Sequence, residues 1–389
     1  MQTIVFLHDG DVFAGTERSL LQLATSLDAR RYNIVIVETC KPVIARHFGH
    51  RHPHLTFRLA THINQGNPLP LWRFLRTLSA DHVHFAQCWL DSFTWKKILA
   101  ARLAVRGRVT MSQLTHWRAL RQPARRRKFN FGVGLWQARY IAAARLCDDV
   151  IAVSESLKRS LHTDYGYPID RLRVQHFLPD PVDWAPLPVA HRRIRPALGT
   201  DENTIAFIII GRLYETKRVN WVVEAFARVV LASSRDAVLW IVGDGPERGA
   251  LERLVKARRV ADRVHCFGWR EDVRVILSDA DVLVHASEFE GFCRAIVQAS
   301  LCARPCIATR CAGVEEPLAG GQGCVEPSIE AITDSMLRYA ALSREQIAQI
   351  GEANRQKFLA RFDYEAERRK FPALLGLEPP ELHDREQHS

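Results

Sequence analysis

One plan occurs twice in this chain, near its start and again past its middle: an apolar strand, a glycine-containing loop, then an amphipathic helix. Thr3 to Leu7 lead through the Gly10 to Gly15 loop into a helix with Leu20, Leu21, Leu23, Ala24 and Leu27 on one face. Ile205 to Ile210 lead through Gly211 onward into a helix with Val222, Val223, Phe226, Val229 and Val230 inward. An apolar strand feeding such a helix buries both partners best in a parallel sheet covered by helices on either face.

Further strands are predicted at Asn33 to Val37, His82 to Phe85, Arg108 to Ser112 and Asp149 to Val153, then at Val238 to Val242, Arg263 to Phe267, Val282 to His285 and Pro305 to Thr309. Helical stretches separate most of them, so the fold class is α/β: two doubly wound parallel-sheet domains facing a central cleft. A chain of 389 residues has room for both. Pro179, Pro181, Pro186, Pro188 and Pro196 crowd a span that no helix or central strand accommodates. The expected boundaries are 1–180 for the first domain, 181–198 for a proline-rich linker and 199–355 for the second domain. Residues 356–389 are expected to form a C-terminal helix packing back on the first domain, with a frayed polar tail from Glu378.

The net charge of +11 is concentrated. Ser92 to Cys147 carries 13 basic residues and no acidic one, which leaves the rest of the chain near −2. The run Arg125-Arg126-Arg127-Lys128 lies among Trp117, Phe129, Phe131, Trp136 and Tyr140, a mixture suited to an anionic membrane surface. A solvated arginine-rich helical face is the plainer alternative. No nucleic acid is expected, because no zinc-finger spacing, RNA-recognition signature or basic-zipper pattern accompanies the patch. No apolar run approaches the roughly 18 to 20 residues of a spanning helix, and Ile4-Val5-Phe6-Leu7 breaks at His8-Asp9, too short for a signal peptide. The expected location is cytoplasmic, peripheral on the inner face of the membrane.

The 9 cysteines are odd in number and scattered, without a C-x-x-C pair or zinc-like Cys/His spacing. They read as reduced thiols. Cys302, Cys306 and Cys311 form the only loose cluster, and no histidine lies at ligand spacing from it. No bound metal and no resident cofactor are expected.

Ligands of doubly wound sheets bind outside the carboxyl ends of strands, so the loops there carry the chemistry. Gly211-Arg212-Leu213-Tyr214-Glu215-Thr216-Lys217 follows a strand directly and places a guanidinium and an ammonium where a diphosphate is the natural guest, with surface salt bridges as the competing reading. Ser287-Glu288-Phe289-Glu290-Gly291-Phe292-Cys293 leads into a helix carrying Ala295, Ile296, Ala299 and Leu301. Gln298 lies eight residues beyond Glu290, about 12 Å if the span is helical, which suits a sugar and a ribose on either side of a diphosphate. Gly15 lets the backbone approach a ligand closely. Gly243-Asp244-Gly245-Pro246 only superficially resembles a dinucleotide fingerprint, since Pro246 interrupts it and no acidic residue ends the next strand.

Taken together, the Gly15-Thr16-Glu17-Arg18 loop, Asp81-His82-Val83-His84, Val153-Ser154-Glu155, Gly211-Arg212-Leu213 with Lys217, Val242-Gly243-Asp244-Gly245-Pro246, Phe267-Gly268 and Glu290-Gly291-Phe292 through Gln298-Ala299 resemble the retaining GT-B glycosyltransferases of family 4 (glycosyl transferases group 1). The resemblance spans nearly the whole chain. It implies a GT-B fold of two Rossmann-like domains, an acceptor side in the first and a nucleotide-sugar donor side in the second. It further implies retaining, metal-independent transfer of a sugar from a nucleotide-diphospho-sugar, UDP being the family's commonest, to an envelope polysaccharide or lipid-linked glycan.

On that resemblance, Arg212 and Lys217 hold the diphosphate, Glu290 sits near hydroxyls of the transferred sugar, and Gly15 closes over the phosphates. Gly291, Phe292, Cys293 and Gln298 complete the donor-binding set, and His116 takes the place of the family's first-domain histidine, with Gln113 as its alternative. The sequence departs from the pattern at Gln298, where the family has a second glutamate, at Cys293, usually glycine, and at Asp180-Pro181-Val182-Asp183, usually Asn-Gly-Val-Asp. These departures keep open a non-catalytic nucleotide-sugar-binding relative, and the charge of Ser92 to Cys147 keeps open a polyanion-binding protein.

Overall fold

The computed structural model describes residues 1–10, 15–64, 67–87, 94–114, 138, 141–188, 191, 193–321 and 323–378. The chain divides into two compact units, Met1–Phe177 with Glu365 onward, and Leu178–Tyr364.

In the first unit the described elements run β1 (Gln2–His8), α1 (Gly15–Thr25), β2 (Tyr32–Glu38), α2 (Val43–Phe48), β3 (Thr56–Leu59), α3 (Pro68–Thr77), β4 (His82–Gln87), α4 (Thr94–Ala104), β5 (Val109–Gln113), β6 (Asp149–Ala152), α5 (Glu155–Thr163) and β7 (Leu172–Val174). The strands pair in parallel in the order β3-β2-β1-β4-β5-β6-β7, with Ile4 opposite both Ile34 and His82. β1 is buried from Thr3 to His8, as a central strand covered on both faces must be. Ser154 caps α5 by accepting a hydrogen bond from Leu157 N, which gives the Val153-Ser154-Glu155 motif a local structural role.

The Asp81-His82-Val83-His84 motif is also built into the sheet. Asp81 Oδ2 accepts from Thr3 N at 2.8 Å, and His82 Nδ1 accepts from Arg108 N at 3.1 Å. The ring of His84 lies between Thr110 Oγ1 at 2.8 Å and Ser112 Oγ at 2.9 Å, and full burial pushes it down to about 3, so it is neutral.

The second unit opens with α6 (Ile194–Ala197) and continues through β8 (Ile205–Ile210), α7 (Val219–Ala232), β9 (Ala237–Val242), α8 (Arg248–Ala257), β10 (Val264–Gly268), α9 (Val273–Asp279), β11 (Val282–His285), α10 (Arg294–Leu301), β12 (Cys306–Thr309), β13 (Cys324–Val325), α11 (Ile329–Ala340) and α12 (Arg344–Arg361). Its strands are parallel in the order β10-β9-β8-β11-β12-β13. Strand alternation divides the apolar side chains between two cores. Ile205, Phe207, Ile209, Leu239, Ile241, Val282 and Val284 pack with α7 on one face, and Ala206, Ile208, Trp240, Val242 and Leu283 pack with α10 on the other.

The proline-rich span expected as a linker belongs to this second unit. Arg195 of α6 is buried, bonding Asp281 Oδ2 at 2.5 Å, the Asp279 carbonyl at 2.9 Å and the Thr204 carbonyl at 2.9 Å. A buried guanidinium needs such partners, and supplying them welds the segment to the sheet. α12 runs to Arg361, past the expected domain end at 355. Beyond it, α13 (Tyr364–Leu375) packs on the first sheet from Glu365 onward: Phe371 is fully buried, its ring centroid 5.6 Å from Phe6 and 5.0 Å from His84.

Candidate active site

In the second sheet the strand order reverses between β8 and β11, and in open parallel sheets ligands bind outside the carboxyl ends of the strands at such a reversal. The loop after β8 is held by the loop after β9. Gly211 N donates to the Val242 carbonyl, and Leu213 N to the Asp244 carbonyl, each at 3.0 Å. Gly243 has φ of 142°, and a Cβ there would lie 1.9 Å from the Gly211 carbonyl oxygen, so glycine is required for the two backbones to pass. The Gly243-Asp244-Gly245-Pro246 stretch thus shapes the neighbouring loop.

Arg212 lies in that loop with its guanidinium carbon 4.6 Å from the Tyr214 ring centroid and an N–H on the Tyr214 hydroxyl. Among the described residues no carboxylate pairs with it, so this cation is positioned by stacking and retains donors for an anion. Five residues on, Lys217 ends a short 3-10 turn, Glu215–Lys217. Its ammonium donates to Glu290 Oε1 at 2.5 Å.

Glu290 follows β11 and is locked by its backbone: Glu290 N donates to the Ala312 carbonyl, and Cys293 N to the Gly313 carbonyl, both at 3.0 Å. Gly313 has φ of 79°, and a Cβ there would stand 2.3 Å from the Glu290 carbonyl oxygen. Glu288 N also bonds the Thr216 carbonyl at 2.9 Å, tying the β8 and β11 loops together beside the ion pair. Oε1 of Glu290 takes a second hydrogen bond, from His285 Nε2 at 2.8 Å, whereas Oε2 accepts none among the described residues. The side chains of Glu290 and Lys217 are 14% and 28% exposed, leaving the pair reachable from solvent.

The electrostatics follow from this geometry. Burial works against the Glu290 carboxylate, but the Lys217 charge and the His285 hydrogen bond outweigh it and hold the group well below the usual carboxylate range. Lys217 is raised: burial opposes its charge, and Glu290 more than compensates. His285 is raised to about 10, the Cys293 sulfur and the Glu290 carboxylate overcoming the cost of burial. Cys293 Sγ lies 3.3 Å from the same Nε2.

The structure therefore brings together Lys217, Glu290 and Cys293 from the sequence-derived set and adds His285, which sequence reasoning passed over as the last residue of an apolar strand. The signal was present as His-x4-Glu-x2-Cys, a spacing outside the Cys/His patterns searched. Gly291 is buried between Glu290 and Phe292, whose ring is 7% exposed and packs against Phe362 at 5.7 Å, a core role. Cys293 caps α10 without a side-chain cap bond and is 1% exposed, its sulfur turned to His285.

Gln298 is buried in α10. Because α10 begins only at Arg294, the stretch from Glu290 to Gln298 is half loop and half helix, and the 12 Å helical span does not apply. Gly15 opens α1 and its carbonyl accepts from Ser19 Oγ at 2.9 Å. Gln113 ends β5 and is buried. His116 lies outside the described residues, as does the whole run Arg125-Arg126-Arg127-Lys128, whereas Lys96, Lys97, Arg102, Arg106, Arg108 and Arg145 of the basic stretch are described.

Among known proteins, the chain is 33% identical over 174 residues to the N-acetyl-alpha-D-glucosaminyl L-malate synthase of Bacillus anthracis, covering 45% of this chain and 44% of that one. It is 27% identical over 173 residues to the lipopolysaccharide core biosynthesis glycosyltransferase LpsE of Rhizobium meliloti, covering 42% and 49%. The chain thus spans about half the length of these curated relatives. Among solved structures it resembles Anabaena HepE in complex with UDP and glucose (TM-score 0.79, 18% identity, 97% of this chain and 100% of that one). It also resembles WaaG, a glycosyltransferase involved in lipopolysaccharide biosynthesis (TM-score 0.71, 16% identity, 96% and 100%). The fold is GT-B. The family models Glycosyltransferase Family 4, over residues 13–176, and Glycosyl transferases group 1, over residues 204–341, match one after the other, and the chain belongs to the family 4, group 1 glycosyltransferases.

Proposed function

We propose that the protein is a retaining, metal-independent glycosyltransferase that moves a sugar from a nucleotide-diphospho-sugar, a UDP-sugar first, to an envelope polysaccharide or lipid-linked glycan. The observation that carries this reading is the pairing at the strand-order reversal: Arg212, a cation without a carboxylate partner among the described residues, in the loop that also presents Lys217 to Glu290. Two cations and a shielded carboxylate suit a ligand with a diphosphate at one end and hydroxyls at the other. The names of the relatives support the same class, as does the HepE structure with UDP and glucose.

In this reading Arg212 and Lys217 stabilise the charge that develops on the diphosphate as the bond from the anomeric carbon to the phosphate oxygen breaks. Glu290 Oε2 accepts from a sugar hydroxyl, and Gln298 accepts from the ribose. The acceptor oxygen bonds the anomeric carbon on the face the phosphate leaves, and the departing phosphate oxygen takes the acceptor's proton. No dedicated carboxylate base is needed, and the bound anion is neutralised by side chains. The basic and aromatic composition of stretch 92–147 supports a peripheral position on the cytoplasmic face of the membrane, where a lipid-linked acceptor is presented.

The test is a thermal-unfolding panel with nucleoside diphosphates and nucleotide sugars, run on the protein and on Arg212→Ala. The expected result is a rise in Tm for one nucleotide class that is lost in Arg212→Ala. No rise with any nucleotide overturns the reading.

A further inference from the structure

Beneath the Lys217–Glu290 pair lies a grouping that diphosphate recognition does not use. His285 Nε2 is 2.8 Å from Glu290 Oε1 and 3.3 Å from Cys293 Sγ, and one ligand atom from each residue lies within 4.8 Å of the other two. Imidazole, carboxylate and thiolate are the donors Zn²⁺ takes, at about 2.0–2.1, 2.0–2.2 and 2.3 Å in a tetrahedral site. Those bond lengths set ligand atoms roughly 3.4–3.6 Å apart around the ion. The imidazole–sulfur separation of 3.3 Å is therefore close to that of a filled site, the imidazole–carboxylate separation of 2.8 Å widens by about half an ångström, and the sulfur and carboxylate lie within 4.8 Å of each other.

We propose that His285, Glu290 and Cys293 form a binding site for a thiophilic divalent cation, Zn²⁺ first, and that this cation and the Lys217 ammonium compete for Glu290. The ligands are preorganised. His285 is the last residue of a buried parallel strand, and the loop bearing the other two is pinned by the backbone bonds of Glu288, Glu290 and Cys293. All three ligands fall within nine consecutive residues, so assembling them costs little chain ordering. The ion takes lone pairs from Nε2, a Glu290 oxygen and the Cys293 thiolate, while the protons on Nε2 and Sγ leave to solvent. The Lys217 side chain, 28% exposed, has room to swing into water. The site itself does not depend on the transfer reaction. One consequence rests on that reading: an ion on Glu290 Oε1 displaces Lys217, the cation assigned to the diphosphate, so Zn²⁺ acts as an inhibitor.

The experiment titrates the untagged full-length protein with Zn²⁺ against a chromophoric chelator, and separately with Co²⁺ followed by absorbance, with no nucleotide present. The expected result is one equivalent of metal, a thiolate-to-cobalt charge-transfer band, loss of that band in Cys293→Ser, and at least about tenfold weaker binding in His285→Ala. Lys217→Ala keeps all three ligands and removes the competitor, so it is expected to bind Zn²⁺ several-fold more tightly. Circular dichroism of each variant reports whether it folds. Absence of the band, or its persistence in Cys293→Ser, overturns the site. An unchanged affinity in Lys217→Ala overturns the competition. Because no nucleotide enters the titration, its failure is separable from failure of the glycosyltransferase reading.

Discussion

Glu290 presents two different oxygens: Oε1 is committed to Lys217 and His285, and Oε2 accepts no hydrogen bond among the described residues. The companion position is Gln298, an amide where the family places a carboxylate. Hydrogen bonds to charged groups contribute about 1.5 to 3 kcal/mol against about 0.5 to 1.5 for neutral ones, a difference of roughly tenfold in affinity. Gln298→Glu is therefore expected to lower the Kd for the nucleotide sugar about tenfold by titration calorimetry, and an unchanged or higher Kd counts against Gln298 as the ribose ligand. At this scale the placement of Arg212, Lys217 and Glu290 in strand-end loops was legible, since those loops follow from hydrophobic patterning. His285 was not. It belongs to a strand that reads as apolar, and its partners come from a loop whose return path is set by Ala312 and Gly313 on another strand end. Phe292 and Cys293 were legible as loop residues, but only packing decided that their side chains turn to Phe362 and His285.

At the scale of elements, the central strands were evident because a strand covered on both faces is an unbroken apolar run. β3, β7 and β13 escaped notice. Each is two to four residues long and sits at a sheet edge, where half the side chains meet water and no run forms. The proline-rich span also misled, because proline content reports what a segment's backbone cannot be and says nothing of the buried ion pair that attaches it.

The attachment of α13 is electrostatic as well as apolar. Glu367 accepts from His176 N at 3.0 Å, His176 Nδ1 at 2.8 Å and Lys370 Nζ at 2.6 Å. Burial raises its carboxyl, but these bonds outweigh it and the net shift is downward. A depressed carboxylate contributes stability that is present above its unfolded pKa of about 4.3 and is lost as pH falls through the folded value. Glu367→Gln is thus expected to be less stable than the parent near neutral pH and to lose less on acidification. Denaturant midpoints near pH 7 and below about pH 4 check this, and equal acid sensitivity in the two proteins rules the linkage out.

For the whole molecule, two parallel-sheet domains were foreseeable from a plan stated twice and a helical tail from its apolar periodicity, whereas the strand orders, with their reversals, came only from the structure. Among the described residues no helix is long and apolar enough to cross a membrane. The proposed membrane association rests on the charge of the stretch 92–147. Replacing Arg125, Arg126, Arg127 and Lys128 with neutral residues is expected to weaken sedimentation with anionic vesicles by roughly one kcal/mol per residue near the surface, and less so at high salt. Undiminished sedimentation assigns the run to a solvated face.

The sequence by itself determined the central strands and the helices that alternate with them, that the sheets are parallel, and which loops carry cations and carboxylates, because each of these follows from periodicity and residue type along a short stretch. Only the tertiary structure decided which groups meet. The reversal of strand order sets Lys217 against Glu290, the glycines at 243 and 313 let neighbouring backbones approach closely, and His285 is brought to a sulfur and a carboxylate that follow it in the same loop. Contacts of this kind depend on backbone positions fixed by distant strands, and no local pattern encodes them.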